Sequence, residues 1–182
     1  MSIIVVTGIP GVGKTTVMKK AAEGIDIEFV TFGTVMEEIA KKIGLIKNRD
    51  EMRRLTLEQQ KELQIKSAEK VAKMGNVILD THCTVKTPKG YMPGLPEWVI
   101  KKLGPTAIVI VEADPKEIFD RRANDPTRNR DPDSIEQIAE HQMINRAVAM
   151  AYAALSGCTV KIVFNHDNAI DAAVKQAAPV LK

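Results

Sequence analysis

The sequence predicts an α/β sandwich, with parallel strands covered by helices on both faces, and three observations predict it. Short apolar runs recur along the chain between longer amphipathic segments. Most of these runs are continuous rather than alternating, as strands buried on both faces require. The segments between them open on helix-start signals, a hydroxyl followed three residues on by Glu or Gln. At 182 residues, the chain has length for one domain with a substantial core.

Taken in order, "IIVV" at 3 to 6 is the first strand, followed by the glycine-rich "GIPGVGKT" and a helix-compatible "TTVMKKAAE". "IEFV" at 27 to 30 is the second strand. Thr34 with Glu37 predicts a helix start near 34, and Thr56 with Gln59 another near 56. From Thr56 to Met74, Leu57, Gln60, Leu63, Gln64, Ser67, Ala68 and Val71 fall at helical spacing, with a charged face opposite. "VIL" at 77 to 79 is the third strand. The stretch from Thr81 to Pro96 holds three prolines and two glycines, which predicts a long loop without regular structure, and such a loop in a compact domain is usually functional. After the strand "AIVIV" at 107 to 111 comes "DPKEIFDRRA", then the breaker-rich "NDPTRNRDPD", so the crossover helix is split in two. Its second part runs from Ser134, with Gln137 as capping partner, to about Ser156. "VKIVF" at 160 to 164 is the last strand.

Composition narrows the function classes. Hydrophobic residues are 45%, charged residues 27%, and the formal net charge is +3. With aromatics at 4% and acids nearly matching bases, the chain lacks the basic, aromatic-interleaved stripe of a nucleic-acid binder, and a small anionic ligand suits it better. No apolar run approaches the roughly 18 residues of a membrane span, and no basic region precedes Ile3 to act as a secretory signal, so a cytoplasmic location without membrane or nucleic-acid partners is expected. Cys83 and Cys158 stand apart, without zinc-ligand spacing, and are expected as reduced thiols.

Gly8-x-x-x-x-Gly13-Lys14-Thr15 matches the phosphate-binding loop pattern, in the strand-loop-helix context that the pattern needs. Gly8, Gly11 and Gly13 let backbone approach the phosphates, helix N-terminal amides point at the anion, and Lys14 supplies a cation. Thr15 is placed to hold magnesium. A glycine-rich turn that binds nothing would not need this context. The guanine-reading Asn-Lys-x-Asp string is missing, as is the Asp-Glu pair of motor and transport ATPases; Asp80 is followed by Thr81 and His82. That favours transfer to a small acceptor. Phosphoryl transfer needs positive charge around the migrating group, and Arg121, Arg122, Arg128 and Arg130 fall within ten residues, with Arg146 on the next helix. The alternative is a solvated loop in which Asp125 and Asp131 pair with them.

The strings "GIPGVGKTT", "FGTVM", "RRLTLEQQ", "DTHCTVKTPKGYMPGLP" and "RRANDPTRNRD" together resemble the archaeal-type adenylate kinases, a branch of the nucleoside monophosphate kinases, over nearly the whole chain. The resemblance implies one kinase domain over 1–182, a three-layer P-loop kinase sandwich whose five-stranded parallel sheet runs in the order 2-3-1-4-5. It further implies an AMP-binding region at about 31–75, a short lid at about 123–133, a homotrimer, and magnesium-dependent conversion of ATP and AMP to two ADP. Carried onto this sequence, Gly8, Ile9, Pro10, Gly11, Val12, Gly13, Lys14, Thr15 and Thr16 bind the ATP phosphates. Lys14, Arg122, Arg128 and Arg130 serve catalysis, and Arg121 is a surface residue. Phe32, Gly33 and Thr34 border the AMP site, with Arg53 or Arg54 on its phosphate. Where bacterial-type relatives carry "DGFPRT", this chain reads "DTHCTV", which leaves His82 and Lys86 as substitutes for the missing arginine. Thr15 holds the magnesium of ATP, and Asp80 reaches it through water. The lid has no four-cysteine zinc pattern.

His141 and His166 are expected to face solvent or to cap, without a functional role. Met36, Met143 and Met150 are expected in core or subunit packing. "AVAMAYAAL" at 147 to 155 is apolar around most of its circumference, which predicts burial by a second surface, either the sheet alone or the sheet and another subunit. Two rival functions share these motifs: a kinase for another monophosphate, a nucleoside or shikimate, and a nucleotide-dependent binding or assembly factor with slow hydrolysis.

Overall fold

The first strand sets the architecture, because all five residues of β1 (Ile3–Thr7) are buried. Successive side chains of a strand point to opposite faces. Ile3 and Val5 accordingly join one apolar cluster and Ile4 and Val6 another. The computed structural model describes residues 2–125 and 133–181 of the chain.

β1 runs parallel between β3 (Val77–Asp80) and β6 (Ala107–Glu112), β2 (Glu28–Thr31) lies outside β3, and β7 (Thr159–Phe164) lies outside β6. The order is thus β2-β3-β1-β6-β7, with labels that differ from the expected 2-3-1-4-5. The labels differ because a separate antiparallel hairpin, β4 (Thr84–Thr87) with β5 (Gly90–Pro93), intervenes after β3; counted within the five-stranded sheet alone, the strands run 2-3-1-4-5. This hairpin also corrects the expected structureless loop. Its prolines fit because neither strand has a second neighbour: Pro93 ends β5, and Pro88 sits in the turn, so no ladder needs their missing N–H.

One cluster packs α2 (Phe32–Lys42), α3 (Leu57–Val71), α4 (Glu97–Leu103) and the C-terminal half of α6 (Ile135–Ser156) on one face of the sheet. The other packs α1 (Lys14–Ala21), α5 (Pro115–Ala123) and α7 (Ile170–Ala177) on the opposite face. A smaller cluster of Ala40, Ile46 and Leu63 ties α2 to α3. The helix that follows β1 therefore lies on one face and α4, after β3 and the hairpin, on the other. The carboxyl ends of two adjacent strands diverge there, which is where open α/β sheets bind ligands.

Capping boxes start α3 at Thr56 and α6 at Ser134, as the sequence predicts, and a third at Asp114 with Glu117 starts α5. The predicted start near Thr34 is corrected: α2 begins at Phe32, directly after Thr31 ends β2, so Thr34 lies inside the first turn. Phe32 is 4% exposed and belongs to the core cluster, which draws the helix start onto it. Cys83 and Cys158 are free thiols.

Candidate functional site

The loop after β1 bends back on the sheet at a place where side chains do not fit. A Cβ on Gly8 would stand 2.5 Å from the Val111 carbonyl oxygen, so only glycine passes there without displacement. Gly13, at φ 83°, is the left-handed cap from which α1 starts. The first N–H groups of α1 have no carbonyl within the helix to take them, and with the end of the helix dipole they form an anion site.

Register places Val6 beside Asp80, so the loop opens next to the carboxyl end of β3. Asp80 is 8% exposed; its Oδ2 accepts the Thr15 hydroxyl at 3.2 Å, and Lys14 Nζ lies 3.2 Å from Oδ1. Among the described residues Oδ1 takes no directed hydrogen bond, so the Lys14 contact is an ion pair with the lone pairs still available. A hydroxyl, a carboxylate oxygen with free lone pairs and adjacent phosphates are hard oxygen donors of the kind magnesium takes. Among the described residues, three or more His, Cys, Asp or Glu side chains nowhere converge as a protein-only metal cage.

His82 follows two residues after Asp80 and is exposed at the surface while protein packs around the rest of its ring. Burial, then the Lys14 charge, hold its imidazolium below the ordinary histidine range, and Asp80 opposes them. Cys83 and Thr84 then turn inward. Cys83 N–H donates to Thr7 Oγ1 at 2.6 Å, and its carbonyl accepts the Tyr152 hydroxyl at 2.8 Å. Burial pushes the Cys83 thiol and the Tyr152 phenol each up to about 12. Thr84 Oγ1 donates to Asn145 Oδ1 at 2.6 Å and, its one proton spent, accepts from His141 Nε2 at 2.9 Å. His141 is 7% exposed, which corrects the expectation that it faces solvent or caps. His166 is exposed, with Nδ1 3.1 Å from Glu117.

The basic residues divide. Arg122 Nε donates to the Pro10 carbonyl at 2.8 Å, and its Nη1 reaches Asp133 at 2.8 Å. Lys86 Nζ meets the other oxygen of Asp133 at 2.6 Å. Burial raises the Asp133 carboxyl, but hydrogen bonds from Lys86 and Arg122 outweigh it and hold the group below the usual carboxylate range. Lys86 and Arg122 therefore share one carboxylate beside the loop. Arg121 is no free surface side chain, as its position had suggested. It pairs with Asp167 and donates to the Asn165 carbonyl at 2.8 Å and, more distantly, to Val12 at 3.4 Å. Arg146 is engaged by Glu112, 2% exposed, through two hydrogen bonds of 2.8 and 2.5 Å. Arg128 and Arg130, with most of the expected lid, lie outside the described residues.

On the other side of the cleft, Phe32, Gly33 and Thr34 follow β2 as expected, Phe32 turned into the core and Thr34 exposed. Arg53 and Arg54 are exposed at the end of a 3-10 turn, Arg49–Arg54. Arg49 from the start of that turn comes nearer: its Nη2 is 3.5 Å from where a Gly33 Cβ would be, and Nη1 is 3.5 Å from Glu37. Sequence reading passed over Arg49 and Asn165, the first because three arginines crowd one turn, the second because nothing local marks it.

The family model that describes an AAA domain matches residues 7–139. An adenylate kinase of Methanocaldococcus jannaschii is 50% identical over 99% of this chain and 98% of its own. One of Methanothermobacter thermautotrophicus is 50% identical over the whole of both chains, and one of Methanopyrus kandleri 52% over 96% and 94%. Among solved structures, a shikimate kinase from Bacteroides thetaiotaomicron superposes with a TM-score of 0.61 over 99% of this chain and 98% of its own, at 16% identity. A shikimate kinase from Acinetobacter baumannii, in complex with shikimate, reaches 0.58 over 100% and 93%, at 18% identity. At such identities, these two likenesses concern the fold alone.

Proposed function

The chain belongs to the adenylate kinases, and from that premise we propose how its residues carry a phosphoryl group from ATP to AMP, giving two ADP. The observation that carries the activity is identity of 50 to 52% over 96% or more of the chain.

Gly8 to Thr16 wrap the ATP phosphates with backbone N–H groups, and Lys14 swings from Asp80 toward the β- and γ-phosphates. Thr15 and, through water, Asp80 would hold magnesium; the free lone pairs of Asp80 Oδ1 support this assignment. When bound, magnesium neutralises charge that gathers on the phosphate oxygens. AMP lies along Phe32, Gly33 and Thr34 within the 31–75 region, its phosphate met by Arg53 or Arg54 and by Arg49, with His82 at the cleft floor. An oxygen of AMP attacks the γ-phosphorus, and the bond to the β–γ bridging oxygen breaks. The attacking phosphate is already anionic, so no side chain has to remove a proton. Arg122, at the end of α5, and Arg128 and Arg130, in a lid over 123–133, gather round the transferred group, with Lys86 beside them. Asp133 holds Lys86 and Arg122 together, and Arg122 also reaches the loop at the Pro10 carbonyl.

The reading extends to a cytoplasmic homotrimer. No helix among the described residues is long and apolar enough to cross a membrane. Met143 and Met150 leave apolar side chains exposed on one stripe of α6, and Leu155 is exposed farther round the helix.

Purified protein with ATP, AMP and magnesium should form two ADP for each AMP consumed. A panel of UMP, CMP, a nucleoside and shikimate at equal concentration tests the acceptor, and preference for any of these over AMP would overturn the reading. Phosphate release without AMP, and without paired ADP, would point instead to a nucleotide-dependent assembly factor.

A further inference from the structure

Asn165 follows the last residue of β7, and its main chain is fixed at both ends. Its N–H extends the β6–β7 ladder by donating to the Glu112 carbonyl at 2.7 Å, and its own carbonyl accepts from Arg121 at 2.8 Å. The residue is 9% exposed, and its side chain lies against the phosphate-binding loop. Nδ2 donates to the Val12 carbonyl at 2.9 Å, and the same atom stands 2.6 Å from where a Gly13 Cβ would be.

A trans peptide is planar, so its carbonyl and the N–H that follows point in opposite directions. The described chain holds no cis peptide. Tying the Val12 carbonyl back to Asn165 therefore turns the Gly13 N–H the other way, toward the open side of the loop at the start of α1. Among the described residues, no hydrogen bond takes up that N–H. Arg122 holds the Pro10 carbonyl in the same manner, and the Gly11 N–H is the other end of that peptide. A loop with glycines at 8, 11 and 13 has many conformations to lose, and binding is weakened by whatever ordering the ligand itself must impose.

We propose that Asn165 is a positioning residue for the phosphoryl donor: by gripping the Val12 carbonyl it presets the Gly13 N–H to meet the polyphosphate. The proposal rests on the reading that Gly8 to Thr16 bind the ATP phosphates. It assigns a donor-site function to a residue more than 150 positions away in sequence from the loop that it shapes.

The test uses Asn165→Leu, close in shape but without a donor, and a ligand that touches only the loop. Calorimetry with inorganic tripolyphosphate, ATP and AMP, each with magnesium, should show tripolyphosphate and ATP weakened by about tenfold, the loss expected for one hydrogen bond. AMP should bind as before, and in steady state KM for ATP should rise while KM for AMP stays. Asn165→Ala, which removes the donor without adding bulk, reads the same contrast should the leucine variant fail to fold. ATP weakened with tripolyphosphate unchanged would overturn the proposal, since Asn165 would then touch the nucleoside. Equal loss for AMP would overturn it as well, by making the role general to the fold, and so would no change at all. Wild-type protein that binds neither tripolyphosphate nor ATP would instead remove the phosphate-loop reading on which the proposal stands.

Discussion

Thr15 and Asp80, 65 residues apart in sequence, are joined by a hydrogen bond of 3.2 Å from the Thr15 hydroxyl to Asp80 Oδ2. The bond couples the first turn of α1 to the carboxyl end of β3, and leaves Oδ1 facing Lys14. One carboxylate thus holds the loop's cation and hydroxyl in place before nucleotide arrives.

Asp80→Asn keeps the shape of this junction and removes its charge. The concentration of magnesium giving half-maximal rate should rise by about tenfold or more, because a neutral amide holds a hydrated divalent cation more weakly than a carboxylate. Lys14→Met should behave differently. It removes a preorganised charge from the migrating phosphoryl group, so kcat should fall by at least about a hundredfold. Magnesium titrations of both variants separate the two roles; a Lys14→Met enzyme with near-normal kcat would exclude Lys14 from catalysis.

Gly13→Ala combines two defects. The position has φ 83°, where a side chain costs about 1–3 kcal/mol. The new methyl would also stand 2.6 Å from Asn165 Nδ2. Both melting temperature and ATP affinity should fall. Adding Asn165→Ala removes the close contact but leaves the strained backbone, so the double variant should recover part of the melting temperature and none of the ATP affinity. Full recovery of both would mean that backbone conformation at Gly13 is of no account.

The uneven legibility of this chain follows from what each feature depends on. β1, β3 and β6 could be read because strands covered on both faces must be apolar throughout. Thr56 and Ser134 could be read because a capping box is local chemistry. Thr34 misled because tertiary burial of Phe32 moved the helix start ahead of it. The β4–β5 hairpin is not legible because its prolines read as breakers, although their positions have no ladder partner to lose. The phosphate loop announces itself by glycine spacing, but the groups that brace it do not. Asn165 and Arg121 meet Val12 only after β7 and α5 are packed, and single-sequence periodicity holds no trace of that contact. His141 is hidden for the same reason, since its partner Thr84 belongs to the hairpin.

His141 gives the fold a pH dependence with a defined sign. Burial holds its imidazolium pKa below the ordinary value near 6.5. The unfolded chain therefore takes up a proton at a higher pH than the folded one, and stability rises with pH across that interval. The contribution is fully present above the unfolded pKa and is lost as pH falls below about 6.5 toward the folded pKa. His82, shifted in the same direction, adds to it. Asp133, Glu117 and the other carboxyls held low act in a separate, more acid window. His141→Gln keeps a donor for Thr84 without a titrating ring. Melting temperatures between pH 7.5 and 5, a window set about the histidine value, should slope less steeply for the variant than for the wild type. Parallel slopes would place the dependence elsewhere.

The apolar strip on α6 makes the last prediction. Met143 is 66% exposed and Met150 59%, on a helix whose other side is packed on the sheet. Beside it, β7 is an edge strand, and Phe164 at its end is 40% exposed. Met143 and Met150 are seven residues apart, about two helical turns, so they fall on one stripe, as an interhelix or subunit contact requires. If the homotrimer forms there, sedimentation should give three times the 20.0 kDa of the chain. Met150→Asp should then lower the mass to that of one chain, because an uncompensated charge in an apolar interface costs more than such a contact gains. Its far-UV circular dichroism should stay that of the wild type, since the side chain faces outward in the single subunit. A trimer unaffected by the substitution would locate the interface on another face, and a wild-type mass of 20.0 kDa would end the trimer reading itself.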